Sequence, residues 1–84
     1  MGIQADSKKI IQHFLKKAIE NENLLAQFTI DFTVLAEELS FESAGYCRVC
    51  CQYLRDTGRI DLNKMGDSQL ITIRAAAIDF LEMT

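Results

Sequence analysis

The sequence predicts a single α+β domain spanning residues 1–84, mainly helical, in the order helix, short strand, helix, helix, β-hairpin, helix. Three observations carry this. Ser43 to Arg59 holds its apolar residues at a 3.6-residue period, with Cys47, Cys50, Cys51 and Leu54 on one side. Phe28-Thr29-Ile30-Asp31-Phe32 alternates apolar with polar, the period of a half-buried strand. Finally, Arg59-Ile60-Asp61-Leu62 and Gln69-Leu70-Ile71-Thr72-Ile73 are β-type runs on either side of a glycine-containing polar stretch, Asn63 to Ser68, the pattern of a hairpin.

Taken in order, the first helix is expected from Ser7, a serine N-cap with Asp6 beside it, to about Glu22. Ile10, Ile11, Phe14, Leu15, Ala18 and Ile19 form its core face, while Lys9, Gln12, His13, Lys16, Lys17 and Glu20 fill the solvated face. After the short strand, Thr33 is the expected cap of a brief helix, Val34 to Leu39. Ser40-Phe41-Glu42 is a short connection to the next helix, so the two make a helix-turn-helix. That second helix turns Arg48, Gln52 and Arg55 away from its cysteines, with Arg59 extending the same line, and Gly58 supplies the left-handed stop. Arg74 to Met83 returns to helical character, with three alanines followed by Ile78, Phe80, Leu81 and Met83 on more than one face. A last helix apolar on two sides is expected to pack on its own core and, through Ile78 and Leu81, on a second copy in a homodimer.

Composition narrows the class. At 84 residues, 49% hydrophobic and 25% charged, the chain has the balance of a small globular domain and not of a disordered tail. No apolar run approaches the roughly 20 residues of a membrane span, and nothing at the amino terminus has signal-peptide character, so a cytoplasmic location without membrane contact is expected. Three cysteines, two of them adjacent, argue for reduced thiols and against a disulfide scaffold. The net charge of −3 is unevenly spread. Asp31 to Glu42 holds four acids and no base, whereas Ser43 to Gly66 holds four bases and two acids.

The spacing of Leu35 to Leu39, the short turn at Ser40 to Glu42, the Tyr53-Leu54-Arg55-Asp56-Thr57-Gly58-Arg59-Ile60 segment, and Ile71-Thr72 leading into Ala77-Ile78-Asp79-Phe80-Leu81-Glu82 together resemble the winged-helix superfamily. The resemblance covers nearly the whole chain and implies a regulatory module for double-stranded DNA. In that family the second helix of the motif enters the major groove and the hairpin reaches the backbone or minor groove. Carried over, Arg48, Gln52 and Arg55 face bases, and Ser43, Arg59 and Lys64 face phosphate. Asp56 and Asp61 stand close to this surface and oppose it.

Other chemistry finds little footing. Cys47-Arg48-Val49-Cys50 has C-x-x-C spacing, but beyond Cys51 only His13 remains as a soft zinc donor, on a different helix face. No proline accompanies a thioredoxin-like centre. The three thiols are expected as small core residues, with Cys51 partly exposed near Arg48 and Arg55, where a thiolate is favoured. His13 lies among lysines, Glu20 being its one carboxylate on the same helix and a turn too far. Nucleophile, base and orienting group do not assemble, so neither enzyme activity, nor a cofactor, nor a metal is expected. A second reading keeps the shape and changes the ligand: Glu37, Glu38 and Glu42 offer an acidic surface to a basic protein partner, as in an accessory protein of phage or mobile-element origin.

Overall fold

The computed structural model describes residues 2–82, and Met83, expected in the last helix, lies outside them. The elements are α1 (Ile3–Glu20), β1 (Phe28–Ile30), α2 (Phe32–Glu38), α3 (Ala44–Asp56), β2 (Ile60–Met65), β3 (Ser68–Ile73) and α4 (Ala75–Glu82). Among the described residues these are four helices and one antiparallel three-stranded sheet, ordered β1-β3-β2. The architecture is α+β and mainly α.

α1 starts earlier than Ser7. Ser7 stands one turn before Ile10, Ile11, Phe14 and Ala18 on the same buried stripe, so its hydroxyl faces inward and the helix begins after Gly2, in an extended conformation. Asp6, also buried, accepts a hydrogen bond from the Tyr46 hydroxyl and ties α1 to α3. A second correction comes at β1, which ends at Ile30 because Asp31 caps α2, accepting from the amides of Thr33 (2.9 Å) and Val34 (3.3 Å). Asp31 displaces Thr33 as cap, and Phe32 becomes the first helical residue.

Three helices end in the same way. After α1, α2 and α3 the residue beyond the cap adopts a left-handed backbone: Glu22 at φ 54°, Ser40 at φ 59° and Gly58 at φ 75°. In each case the next amide reaches back to a carbonyl in the last turn: Asn23 to Ala18 (3.0 Å), Phe41 to Ala36 (2.8 Å) and Arg59 to Leu54 (2.9 Å). This 6→1 bond, accompanied by a 5→2 bond, is the Schellman closure. The sequence marks only Gly58 as such a stop, since glycine, having no Cβ, alone occupies this region without crowding.

The hairpin is tighter than expected. The sequence predicts a turn over Asn63 to Ser68, yet Met65 pairs with Ser68 and only Gly66 and Asp67 connect the strands. Gly66 has φ 62°, the positive value that a two-residue hairpin loop requires at its first central position. Pairing in rows gives the sheet its gradient. Ile60 lies opposite Ile73, Ile71 lies between Leu62 and Phe28, and Gln69 lies between Lys64 and Ile30, all on one face. Towards its root that face joins a core built with Ile10, Ile11, Phe14, Leu35, Leu54 and Phe80, and towards the tip it becomes polar.

Leu54 is fully buried at the centre of this core. Leu54→Ala is expected to lower unfolding free energy by about 2–5 kcal/mol in chemical denaturation. Conversely, Ser40→Gly, which relieves a left-handed non-glycine residue, should stabilise by roughly 0.5–1 kcal/mol, and the same denaturation curve reads it.

Candidate functional site

α3 begins at Ser43, whose Oγ accepts from the Tyr46 amide at 3.1 Å. From there the helix divides as its period demands. Cys47, Cys50, Cys51 and Leu54 are completely buried, so Arg48, Gln52 and Arg55 are left on the opposite, exposed side. They border an open groove of about 630 Å³, closed on its far side by the outer part of the hairpin, with Lys64, Ser68 and Gln69, and at its end by Thr29 to Thr33. Lys64 reaches the groove because it shares a sheet face with Ile60 and Leu62. Four residues expected from the sequence, Arg48, Gln52, Arg55 and Lys64, thus converge, from two separate elements.

Their immediate neighbours differ. The Arg48 guanidinium lies over the Phe32 ring, 5.0 Å from its centroid, a cation–π contact worth about 0.5–1 kcal/mol at an exposed site. Arg55 is engaged by its neighbour, Nε and Nη2 both donating to Asp56 Oδ1 at 3.3 and 3.2 Å. With Arg55 49% and Asp56 69% exposed, this ion pair contributes about 0–1 kcal/mol, so a stronger anion displaces it readily. Asp67 also lines the groove, as does Asp31, whose carboxylate is committed to the cap of α2. Sequence reasoning missed Asp31 and Phe32 as parts of this wall. The signal available was an aspartate two residues before Thr33, in cap position.

Other expected residues fall elsewhere. Arg59 does not extend the line of α3: after Gly58 the chain turns, and its guanidinium stacks on Phe80 at 4.0 Å and near Tyr53 at 5.9 Å, half-buried against α4. Ser43 is at the helix entrance, but its oxygen is taken by the cap. Asp61 points to the outer face of the sheet and pairs with Arg74 at 3.3 Å, so it does not oppose the groove as expected.

Glu37, Glu38 and Glu42 are exposed, and Glu38 Oε2 approaches His13 Nε2 at 3.4 Å. His13 is therefore not isolated. It is half-buried, edge-on to Phe14 at 5.0 Å, and its carboxylate neighbour comes from α2. Burial, and then Lys17, hold its pKa below the usual 6.5 despite Glu38. Ile78 and Leu81 are half-buried, Leu81 packing on the core beside Ala77 and Phe80, while the large exposed apolar residues lie elsewhere, at Ile19, Leu25 and Met65 among others.

The thiols are interior, and the expectation of a partly exposed Cys51 is overturned. Its place between Cys47 and Leu54 on the buried stripe leaves it no exposure, and its contact with Cys47 together with burial pushes the thiol well up. Burial likewise raises Cys50. Among the described residues no group of three or more histidine, cysteine or acidic side chains is placed to hold a metal ion. No described helix is long and apolar enough to cross a membrane. Comparison with protein-family models, with curated proteins and with solved structures finds no match to this chain.

Native protein should leave all three thiols unreactive towards an aromatic disulfide reagent at neutral pH and release them only with global unfolding. For His13, the unfolded chain binds more protons than the folded one between the depressed folded pKa and 6.5. Stability contributed by this residue therefore falls as pH drops through that window, and His13→Gln should flatten the dependence in denaturation series.

Proposed function

We propose that the chain is a winged helix-turn-helix domain that binds double-stranded DNA in a regulatory, non-enzymatic role, with α3 in the major groove and the hairpin against the backbone. One observation carries this reading: Arg48, Gln52 and Arg55 from α3 and Lys64 from the hairpin meet along a single groove in a protein whose net charge is −3. The element order, the short α2-to-α3 connection and the pairing of β1 with the hairpin support the fold assignment. Side-chain types support the ligand, since arginine matches guanine in two places, glutamine matches adenine, and lysine serves as a point charge for phosphate.

Few cations release few counterions, so a monomer grips weakly. A second copy docked through α4, with Ile78 and Leu81 supplying apolar area, doubles the contacts and suits a two-fold related duplex site. Three free, reduced thiols accord with a cytoplasmic setting. A competing reading, docking on a basic protein partner through Glu37, Glu38 and Glu42, draws on the acidic net charge and on Glu37 and Glu42, which make no ion pair among the described residues.

Titration of duplex DNA at several salt concentrations separates the two. Affinity should fall with log[salt] at a slope of about −2 to −3 for one domain and roughly twice that for a dimer. Arg48→Ala and Lys64→Ala should each weaken binding. Equal affinity of wild type and both variants at low salt removes the DNA reading.

A further inference from the structure

We infer that, within the proposed DNA interface, Arg48 is the arginine that reads a base, that Phe32 positions it, and that Arg55 serves as a charge for phosphate. The inference rests on the duplex-binding reading and divides labour inside it. The sequence presents Arg48 and Arg55 as equivalents on one helix face, and the structure separates them. Arg48 lies over the face of Phe32, the first residue of α2, which is almost fully buried and cannot swing away. A cation–π contact holds the guanidinium in place without spending any of its five N–H donors, which stay free for an acceptor pair such as guanine O6 and N7. Arg55 has the opposite arrangement. Two of its donors are spent on Asp56, and among the described residues no aromatic ring lies against it. An exposed pair of this kind exchanges for phosphate, which asks for charge and little orientation.

Gln52 lies one turn beyond Arg48 on the same groove and makes no hydrogen bond among the described residues, so both ends of its amide are available to adenine. Four helical residues advance about 6 Å, close to two base steps of about 3.4 Å. The preferred duplex therefore carries a guanine facing Arg48 and an adenine about two steps away facing Gln52.

The test is selection of wild-type protein against a randomised duplex library, followed by affinities on the selected duplex and on single-base replacements. Wild type should discriminate against replacement of the guanine by roughly 5- to 100-fold. Arg48→Ala should lose that discrimination. Arg48→Lys, keeping the charge but not the planar fork, should lose it with overall affinity largely retained. Phe32→Leu should lose most of it at the same position, with Phe32→Tyr restoring it. Arg55→Ala and Lys64→Ala should weaken every duplex alike and each lower the salt slope by about one.

In the free protein, Phe32→Leu should also shift the Arg48 Nε–H resonance, which sits in the ring current of Phe32. Loss of base preference in Arg55→Ala in place of Arg48→Ala overturns the inference. So does an unmoved Arg48 resonance in Phe32→Leu. Wild type that binds duplexes without preference overturns it and leaves duplex binding standing, whereas wild type that binds no duplex overturns both.

Discussion

Burial of one side of α3 is the constraint on which the rest of the structure depends. Cys47, Cys50, Cys51 and Leu54 are all removed from solvent, and α1, α2 and the root of the sheet pack around them. The three thiols are small, and Leu54 supplies the bulk on that side. Because 3.6 residues make a turn, burying that stripe decides at once that Arg48, Gln52 and Arg55 are outside and in line. A polar tie seconds the packing, since the Tyr46 hydroxyl donates to Asp6 across the α1–α3 contact. That bond holds the Asp6 carboxyl below its ordinary range and the Tyr46 hydroxyl above its own.

The hairpin is positioned by the same core acting through a different period. Ile60 and Ile73 anchor the root of the sheet, and every second residue outward stays on their face, so Lys64 and Gln69 arrive opposite α3. Between helix and hairpin the chain reverses at Gly58, whose left-handed backbone sends Arg59 away from the groove to cover Phe80. The guanidinium most easily mistaken for part of the site thus fastens α4 to the base of the hairpin. The Arg74 amide, bonded to the Arg59 carbonyl at 3.0 Å, closes the same joint from the other strand.

The groove is mixed in charge, and this bears on the ligand proposed for it. Asp31 and Asp67 stand among its cations, and Arg55 is partly satisfied by Asp56. A surface of this kind repels indiscriminate polyanions more than a uniformly basic one does, and favours a ligand whose acceptors match its donors in position. Phe32 matters here because its ring holds one of those cations against the wall of the groove.

The periodicity of the sequence by itself determined the element order, the inward face of α3, the Gly58 stop and the outward set Arg48, Gln52 and Arg55. All of these follow from interactions between residues a few positions apart, which a one-dimensional pattern records. Tertiary structure alone decided that Lys64 joins that set while Arg59 leaves it, that Glu38 meets His13, that Asp61 answers Arg74, that Ser7 is interior and that Cys51 keeps no exposure at all. The left-handed ends at Glu22 and Ser40 belong with these, where the closing backbone bonds form on residues other than glycine. Each depends on residues brought together by the turning of the chain, and that direction is set by the shared core, which local pattern does not encode.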